Sequence, residues 1–427
     1  MGSQEAKHKI YPTYHCKSMT KKFYVESYGC TMNQGETGML AEFMEDNGHI
    51  QVENLEDADI SLLGTCVVIK KTEERMRRRV KELTQKTSEV IIAGCLASIR
   101  KKELQSKYSN VSFINPEQVD LSTCPKKDEE SPFVGTIPIA SGCKGSCTYC
   151  ITKSARGKIQ SRPIDKIKER FKGLVKQSTR EIRLTSQDMA IYGKDRSTDL
   201  IELLKTLLEV KGDYRIRLGM MNIDGLASIK DDLKDIMKDD RIYKFIHLPL
   251  QSGSDDVLEK MNRSYSVREW IETAEEFRKQ FPDLTLSTDI IVGFPGETEE
   301  DFSMTKEALT SIKPDIINVT RFSPRKGTRA AEMKEKVESQ EKKRRSKEMT
   351  ELRFKISRDL NDDYVGRKAW ATILERGKGT SLKGRLDNYK VIVLKDETSN
   401  LLGKRKEVKI KAAEHVYLLA DLIESKS

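Results

Sequence analysis

The chain has 427 residues, 37% hydrophobic and 34% charged, with a net charge of +10 and a pI near 9.0. That length exceeds what one hydrophobic core serves, so two or three domains are expected. No stretch approaches the roughly 20 consecutive apolar residues of a membrane span. The opening MGSQEAKHKI has no apolar signal region, and Ala6 spoils a myristoylation pattern, so a cytoplasmic protein without membrane partners is expected. The basic balance favours polyanionic partners such as nucleic acid.

From Lys22 to Asp120, short apolar runs alternate with helical patterns. KFYVESYG (22–29), DISLLG (59–64) and EVIIAG (89–94) read as buried strands; QGETGMLAEFMEDNG and KKTEERMRRRVKELTQK read as helices between them. This alternation predicts an N-terminal parallel α/β domain over 20–125. CPKKDEESP (124–132), charged and proline-flanked, marks a boundary. Over 132–331 six strands are expected: TIPIA (136–140), EIRLTS (181–186), YRIRLG (214–219), KFIHLPL (244–250), TLSTDIIVGF (285–294) and DIINVTRF (315–322). Each pair leaves room for one helix, the pattern of an incomplete (βα)6 barrel, a fold that places its chemistry on the C-terminal strand face. Residues 332–362 read as a solvated, highly charged linker helix. Over 363–425, KAWATILER, KGRLDNYKVIVLK, EVKIKAAE and HVYLLADLI predict a small C-terminal β-barrel of OB-like size.

The chain has eight cysteines: Cys16, Cys30, Cys66, Cys95, Cys124, Cys143, Cys147 and Cys150. In a long cytosolic chain, metal or catalytic roles explain informative spacing better than disulfides do. Cys143, Cys147 and Cys150 form a C-x3-C-x2-C motif directly after the first barrel strand. Three thiolates on one tight loop suit three irons of a [4Fe–4S] cluster and leave the fourth open to a substrate. Gly142 and Gly145 let the loop wrap closely. The competing reading, a structural zinc loop, wants four ligands in paired C-x2-C spacing.

Cys30, Cys66 and Cys95 are far apart, but each follows a predicted buried strand. In a parallel sheet those strand ends share one edge, where such sheets bind ligands. A second cluster is one reading; three small buried hydrophobes is the other. Cys16 and Cys124 read as ordinary thiols.

C-x3-C-x2-C at the end of the first strand of a six-unit barrel resembles the signature of radical S-adenosylmethionine (SAM) enzymes. The resemblance implies that the open iron binds SAM and that one-electron reduction yields a 5′-deoxyadenosyl radical. It assigns Cys143, Cys147 and Cys150 to the cluster. It also implies SAM contacts from Thr185, Ser186, Gln187 and Asp188 (TSQD), from His247 and Gln251 (HLPLQSGS), and from Gly293 (DIIVGFPGET). YGCTMNQGETGML, TCVVIKKTEERMRRRV and AGCLA resemble the cysteine segments of the methylthiotransferases, and the final domain resembles a TRAM module. The likeness runs from about Lys22 to Leu422. It implies two [4Fe–4S] clusters, the second on Cys30, Cys66 and Cys95 donating sulfur, and conversion of a C–H bond into C–SCH3.

Among the substrates of that family, details such as YGCTMNQGE and RIRLGMMN most resemble the archaeal and eukaryotic branch. That branch acts at C2 of N6-threonylcarbamoyladenosine 37 of tRNA. Isopentenyl-adenosine 37 and a ribosomal-protein aspartate are the alternatives. Asn222-Ile223 stands where related sequences often have Asn-Pro. A target base in a stacked anticodon loop must be splayed out, which favours an enzyme with its own RNA grip. Trp370, Arg376, Lys378, Lys404 and Arg405 are the expected RNA contacts, with Tyr389 and Tyr417 as further stacking candidates. The helix KKTEERMRRRVK adds positive charge or is a solvated face. Asp188 and Arg217 are the catalytic candidates by their strand-end positions. A ferredoxin- or flavodoxin-type electron donor and a monomer complete the expectation. A radical SAM enzyme of another reaction type and a metal-stabilised RNA-binding protein are the competing classes.

Overall fold

A computed structural model describes residues 20–115, 131–395 and 399–423 of the protein, so Cys16, Cys124 and most of the 124–132 connector lie outside the described residues. The chain separates into two compact units, Met1–Cys66 with Glu74–Ser122, and Val67–Glu73 with Thr123–Ser427. None of the described helices is long and apolar enough to cross a membrane.

The first elements are β1 (Lys22–Ser27), α1 (Thr31–Asp46), β2 (Ile50–Val52), β3 (Ile60–Thr65), α2 (Lys70–Thr84), β4 (Glu89–Gly94), α3 (Cys95–Lys107) and β5 (Val111–Phe113). The five strands pair in parallel in the order β2-β1-β3-β4-β5. β3 is buried along its whole length, as a central parallel strand covered on both faces must be. Phe23, Leu40, Ile60, Leu62 and Ile91 form the core beneath α1. β2 and β5 are three-residue edge strands that the sequence pattern does not announce.

The second unit continues with β6 (Val134–Pro138), β7 (Ala140–Ser141), α4 (Thr152–Arg156), β8 (Gln160–Ser161), α5 (Ile164–Lys176), β9 (Glu181–Thr185), α6 (Leu200–Leu208), β10 (Arg215–Leu218), α7 (Ile223–Leu226) and α8 (Lys230–Ile236). Then come β11 (Phe245–His247), α9 (Asp255–Lys260), α10 (Val267–Gln280), β12 (Thr285–Val292), α11 (Glu299–Ile312), β13 (Ile316–Arg321) and α12 (Arg329–Glu332). The expected strands are all present, as two parallel three-stranded sheets, β6-β9-β10 and β11-β12-β13. They meet where Ile216 bridges Ile242 in parallel. The result is an open six-stranded arc with β6 and β13 at its ends. Capping boxes at Ser266/Glu269 and Thr298/Asp301 start the helices before and after β12.

The stretch expected to be a solvated linker behaves otherwise. Its helix α13 (Ser339–Asp362) buries Met349, Ile356 and Arg345. Arg345 pairs with buried Glu297 at 2.6 Å, and Arg353 donates to the Ile317 carbonyl of β13. The helix thus covers an edge strand whose outer groups would otherwise stay unpaired.

The last five strands, β14 (Lys368–Arg376), β15 (Leu382–Leu386), β16 (Val391–Leu394), β17 (Arg405–Ala413) and β18 (Leu418–Leu422), close into a small barrel of order β14-β15-β16-β18-β17. KGRLDNYKVIVLK, read as one strand-like segment, is in fact the β15–β16 hairpin. Its turn, Asp387 to Lys390, plugs the strand-start end of the larger arc. Lys390 pairs with Asp315 at 2.7 Å, just before β13. The Lys244 amide donates to the Asp387 carbonyl just before β11. Tyr389 stacks edge-on to Tyr243 (5.0 Å) and against Phe245 (4.8 Å). Tyr389 has φ +72, the left-handed region that bulky side chains avoid. The contacts around its ring hold that conformation in place.

Candidate active site

The strand topology of the N-terminal unit brings its three cysteines to one edge. β1, β3 and β4 are parallel neighbours, with Ser27 opposite Gly64 and Thr65 opposite Gly94. Cys30 follows β1 as the N-cap of α1, Cys66 follows β3, and Cys95 is the first residue of α3. Cys30 is exposed; Cys66 and Cys95 are buried. Two of the thiols therefore sit at helix N-termini. The backbone closes tightly around them. A Cβ on Gly29 would lie 2.7 Å from the Cys66 Cβ and 3.3 Å from its Sγ. A Cβ on Gly94, at φ +82, would lie 2.5 Å from the Thr65 carbonyl oxygen. Asn33 Nδ2 donates to the Thr65 carbonyl at 2.9 Å and fixes the end of β3.

The second triad is local. Cys143, Cys147 and Cys150 are each partly buried, and none of the six described cysteines forms a disulfide. The loop folds around Lys153, whose Nζ donates to the carbonyls of Cys143 (2.9 Å), Lys144 (3.2 Å) and Gly145 (2.9 Å). The Gly145 amide donates to Cys143 Sγ at 3.2 Å. A Cβ on Gly145 would face both Cys143 Sγ (3.5 Å) and Cys147 Sγ (3.8 Å), so the loop wraps its sulfurs around a glycine. Gly142, at φ +79, has no room for a Cβ against the Lys158 carbonyl. Asn262, just after α9, and Arg329 at the start of α12 tie Ser146 down. Burial raises the Cys143 thiol; it raises that of Cys147 too, with Arg263 pulling the other way. Among the described residues, no three His, Cys, Asp or Glu side chains gather tightly enough for a single ion. A four-iron cluster takes one thiolate per iron and needs no such gathering.

The strand ends beside this loop carry the other expected residues. Thr185 ends β9, and the hydroxyl of Ser186 is buried with no hydrogen-bond partner, as is that of Ser141 before the loop. Two unpartnered hydroxyls at one strand-end face are what a polar ligand would satisfy, so the residues present fit a cluster with SAM beside it. Gln187 is the next residue along. Asp188 faces inward: it caps the turn at Ala190 (3.1 Å) and accepts from the Asn222 amide (3.2 Å) and Nδ2 (2.9 Å). Burial raises its carboxyl against those hydrogen bonds. Asn222 Oδ1 in turn accepts from Arg263 at 2.7 Å. Sequence reading overlooked Arg263, which lies after α9 in no recognisable motif. Asp188 is thus a positioning residue at the cysteine end of the arc.

His247 Nε2 lies 3.1 Å from Asp289, which also accepts from Asn318 at 2.9 Å. Burial alone would raise the Asp289 carboxyl, but hydrogen bonds to His247 and Asn318 and the Arg263 charge hold it below its usual range. Gln251, at φ +71, bridges back to β12 through its backbone. Gly293, at φ +73, donates to Glu297 and leaves no space for a Cβ beside Lys342. A cavity of about 370 Å³ opens here, with Cys150, Gln251, Asp289, Asn318 and Arg321 among its lining.

Arg217 is elsewhere. It lies over Phe245 (4.8 Å) and Tyr389 (5.8 Å), beside the Arg183–Glu181 pair at the plugged end. The two strand-end candidates are therefore separated by the arc, and Arg217 serves the seat of the hairpin.

Comparison with known proteins matches residues 22–115 to an uncharacterized protein family (UPF0004), 137–309 to the radical SAM superfamily and 362–423 to the TRAM domain. A probable threonylcarbamoyladenosine tRNA methylthiotransferase of Methanocaldococcus jannaschii is 37% identical over 95% of this chain and 98% of its own length. A threonylcarbamoyladenosine tRNA methylthiotransferase of Xenopus laevis is 31% identical over 92% of this chain and 75% of its own. The chain belongs to the radical SAM tRNA methylthiotransferases. A tRNA-2-methylthio-N(6)-dimethylallyladenosine synthase of Thermosipho africanus is also similar, at 35% identity over 94% of this chain and 99% of that one. Among solved structures, the radical SAM methyltransferase TsrM of Kitasatospora setae shares the fold, with a TM-score of 0.57 at 12% identity over 73% of this chain and 77% of that one.

In this methylthiotransferase the TRAM barrel presents Trp370 on β14, 49% exposed, with Arg405 stacked 5.2 Å over its ring. Arg376, Lys378 and Lys404 are exposed on the same strands or their turns. Tyr389, expected as a stacking residue, is instead in the plug. Tyr417 lines a cavity facing β13 and α13. On α2, Arg77 pairs with Glu103, and Arg79 with Glu26 and Glu82, so much of that positive face is spent internally.

Proposed function

We propose that this methylthiotransferase modifies C2 of N6-threonylcarbamoyladenosine at position 37 of tRNA, using two [4Fe–4S] clusters. Full-length similarity to relatives named for that nucleoside carries the reading; the two cysteine triads, each at a strand-end face, support it. Cys143, Cys147 and Cys150 would hold the cluster that binds SAM, and Cys30, Cys66 and Cys95 the one that donates sulfur. When bound, these groups supply the electron, the radical and the sulfur. The chain's own residues orient and enclose. Asp188 and Asn222 hold Arg263 beside the cysteine loop, and His247 and Asn318 hold Asp289 at the cavity. Thr185, Ser186, Gln187, Gln251 and Gly293 line the strand ends toward SAM. Trp370, Arg376, Lys378, Lys404 and Arg405 grip the anticodon stem-loop. The enzyme works as a cytoplasmic monomer fed by a ferredoxin- or flavodoxin-type donor.

Similarity to the dimethylallyladenosine synthase favours the isopentenyl substrate as a second reading. Anaerobically reconstituted enzyme is incubated with SAM, a reductant and anticodon stem-loops carrying threonylcarbamoyl-adenosine, isopentenyl-adenosine or plain adenosine at position 37. The nucleosides are then resolved by mass spectrometry. Methylthio product from the first loop alone is expected; product from the second alone would replace the reading with its alternative.

A further inference from the structure

We infer that Arg263 sets the reduction potential of the cluster carried by the cysteine loop, making that cluster easier to reduce. The inference rests on the assignment of a cluster to Cys143, Cys147 and Cys150 and is independent of which nucleoside is modified. The loop is docked on the segment that ends α9. The Thr148 amide donates to the Met261 carbonyl (3.0 Å), the Thr148 hydroxyl to the Lys260 carbonyl (2.9 Å), and Asn262 Nδ2 to the Ser146 hydroxyl (2.8 Å). Arg263 is the next residue, so these bonds fix where its side chain starts. Its guanidinium lies 6.0 Å from the ring centre of Tyr149, which stands between Cys147 and Cys150, and 5.5 Å from that of Tyr265. It donates to Asn222 Oδ1 at 2.7 Å, and Asn222 is held by Asp188. Arg263 Nε is buried with no hydrogen-bond partner. Among the described residues no carboxylate pairs with Arg263 directly, unlike Arg325 and Arg345, which are paired with Glu73 and Glu297. Lys153 and Arg329, the other cations on the loop, are spent on its carbonyls.

A half-buried guanidinium acts through a medium less screening than water, and its charge is felt by any group that gains or loses charge nearby. One electron from the low-potential donor adds one negative charge beside the loop. Cluster potentials follow net charge, hydrogen bonds to sulfur and exposure, so Arg263 favours the reduced state. The aromatic faces and the Asn222–Asp188 hold keep that charge in place without cancelling it by direct ion pairing.

Reconstituted full-length enzyme, free of SAM, is titrated with dithionite and redox mediators and followed by electron paramagnetic resonance. The same chain with Cys30, Cys66 and Cys95 replaced by Ala marks which signal belongs to the loop. At a fixed potential, Arg263→Met should lower the ratio of reduced to oxidised loop cluster about tenfold, a shift of about 59 mV for a one-electron couple. The other signal should not move. Arg263→Lys, which keeps the charge, should recover most of the shift. Should Arg263→Met fail to load iron, Arg263→Gln, which keeps a donor for Asn222, carries the same test. An unmoved potential with weakened SAM binding would make Arg263 a SAM contact and overturn the inference. Equal shifts in the Met and Lys variants would mark a purely structural role and do the same. A wild type without iron at the loop overturns the cluster assignment itself, and this inference with it.

Discussion

The two cysteine triads reach the same end by different means. Cys143, Cys147 and Cys150 share one loop, shaped by glycines and tied by Lys153, so their proximity is written in adjacent residues. Cys30, Cys66 and Cys95 are neighbours because β1, β3 and β4 are parallel neighbours. The first site needs a loop; the second needs a whole sheet. Sequence spacing announces the first directly. It announces the second only to a reader who already expects strand ends to share an edge.

The sharpest way to break this comparison is to empty each site in turn. Replacing Cys143, Cys147 and Cys150 by Ala should abolish SAM cleavage and reduce iron from about eight to about four per chain, as one cluster per triad predicts. Iron and acid-labile sulfide analysis after anaerobic reconstitution checks it. Replacing Cys30, Cys66 and Cys95 should remove a similar share of iron and all methylthio product, yet still release 5′-deoxyadenosine. If cleavage also stops, the two sites are not separable.

A smaller effect separates the scaffolds. Gly94→Ala forces a side chain into a left-handed position against the Thr65 carbonyl and should cost about 3 kcal/mol in denaturant unfolding of the metal-free protein. Gly145→Ala meets only ordinary contact distances and should cost less than about 1 kcal/mol. Smallest of all, Trp370→Ala should weaken stem-loop binding by about five- to tenfold, within the ~1–3 kcal/mol of one base stack, without lowering the melting temperature.

The strands bearing Ile60–Thr65, Glu89–Gly94 and Thr285–Val292 were legible because each is at least six residues long and rich in β-branched and apolar side chains. Edge strands Ile50–Val52 and Val111–Phe113 were not, since three residues carry no periodicity. Arg263 was illegible for another reason. Its importance comes from contact with Asn222 and proximity to the cysteine loop, which arise only when separate segments fold together. Charge misled in two places. The stretch 332–362 looked solvated, but Arg345 and Arg353 are used up on Glu297 and β13. Arg217 looked like a strand-end reagent, but its guanidinium is stacked on aromatic rings at the opposite end.

The hairpin turn that places Tyr389 at the strand starts bears on how such a protein can be recombined. Asp387, Tyr389 and Lys390 are met by Lys244, Tyr243, Phe245 and Asp315, so half of every contact belongs to the arc. A TRAM barrel grafted from a relative would bring its own turn to a socket cut for this one. Chimeras that exchange only residues 363–425 should therefore leave Glu181, Arg183 and Arg217 facing a mismatched plug. Those that carry the socket residues along should keep the seat intact, because lock and key are then inherited together.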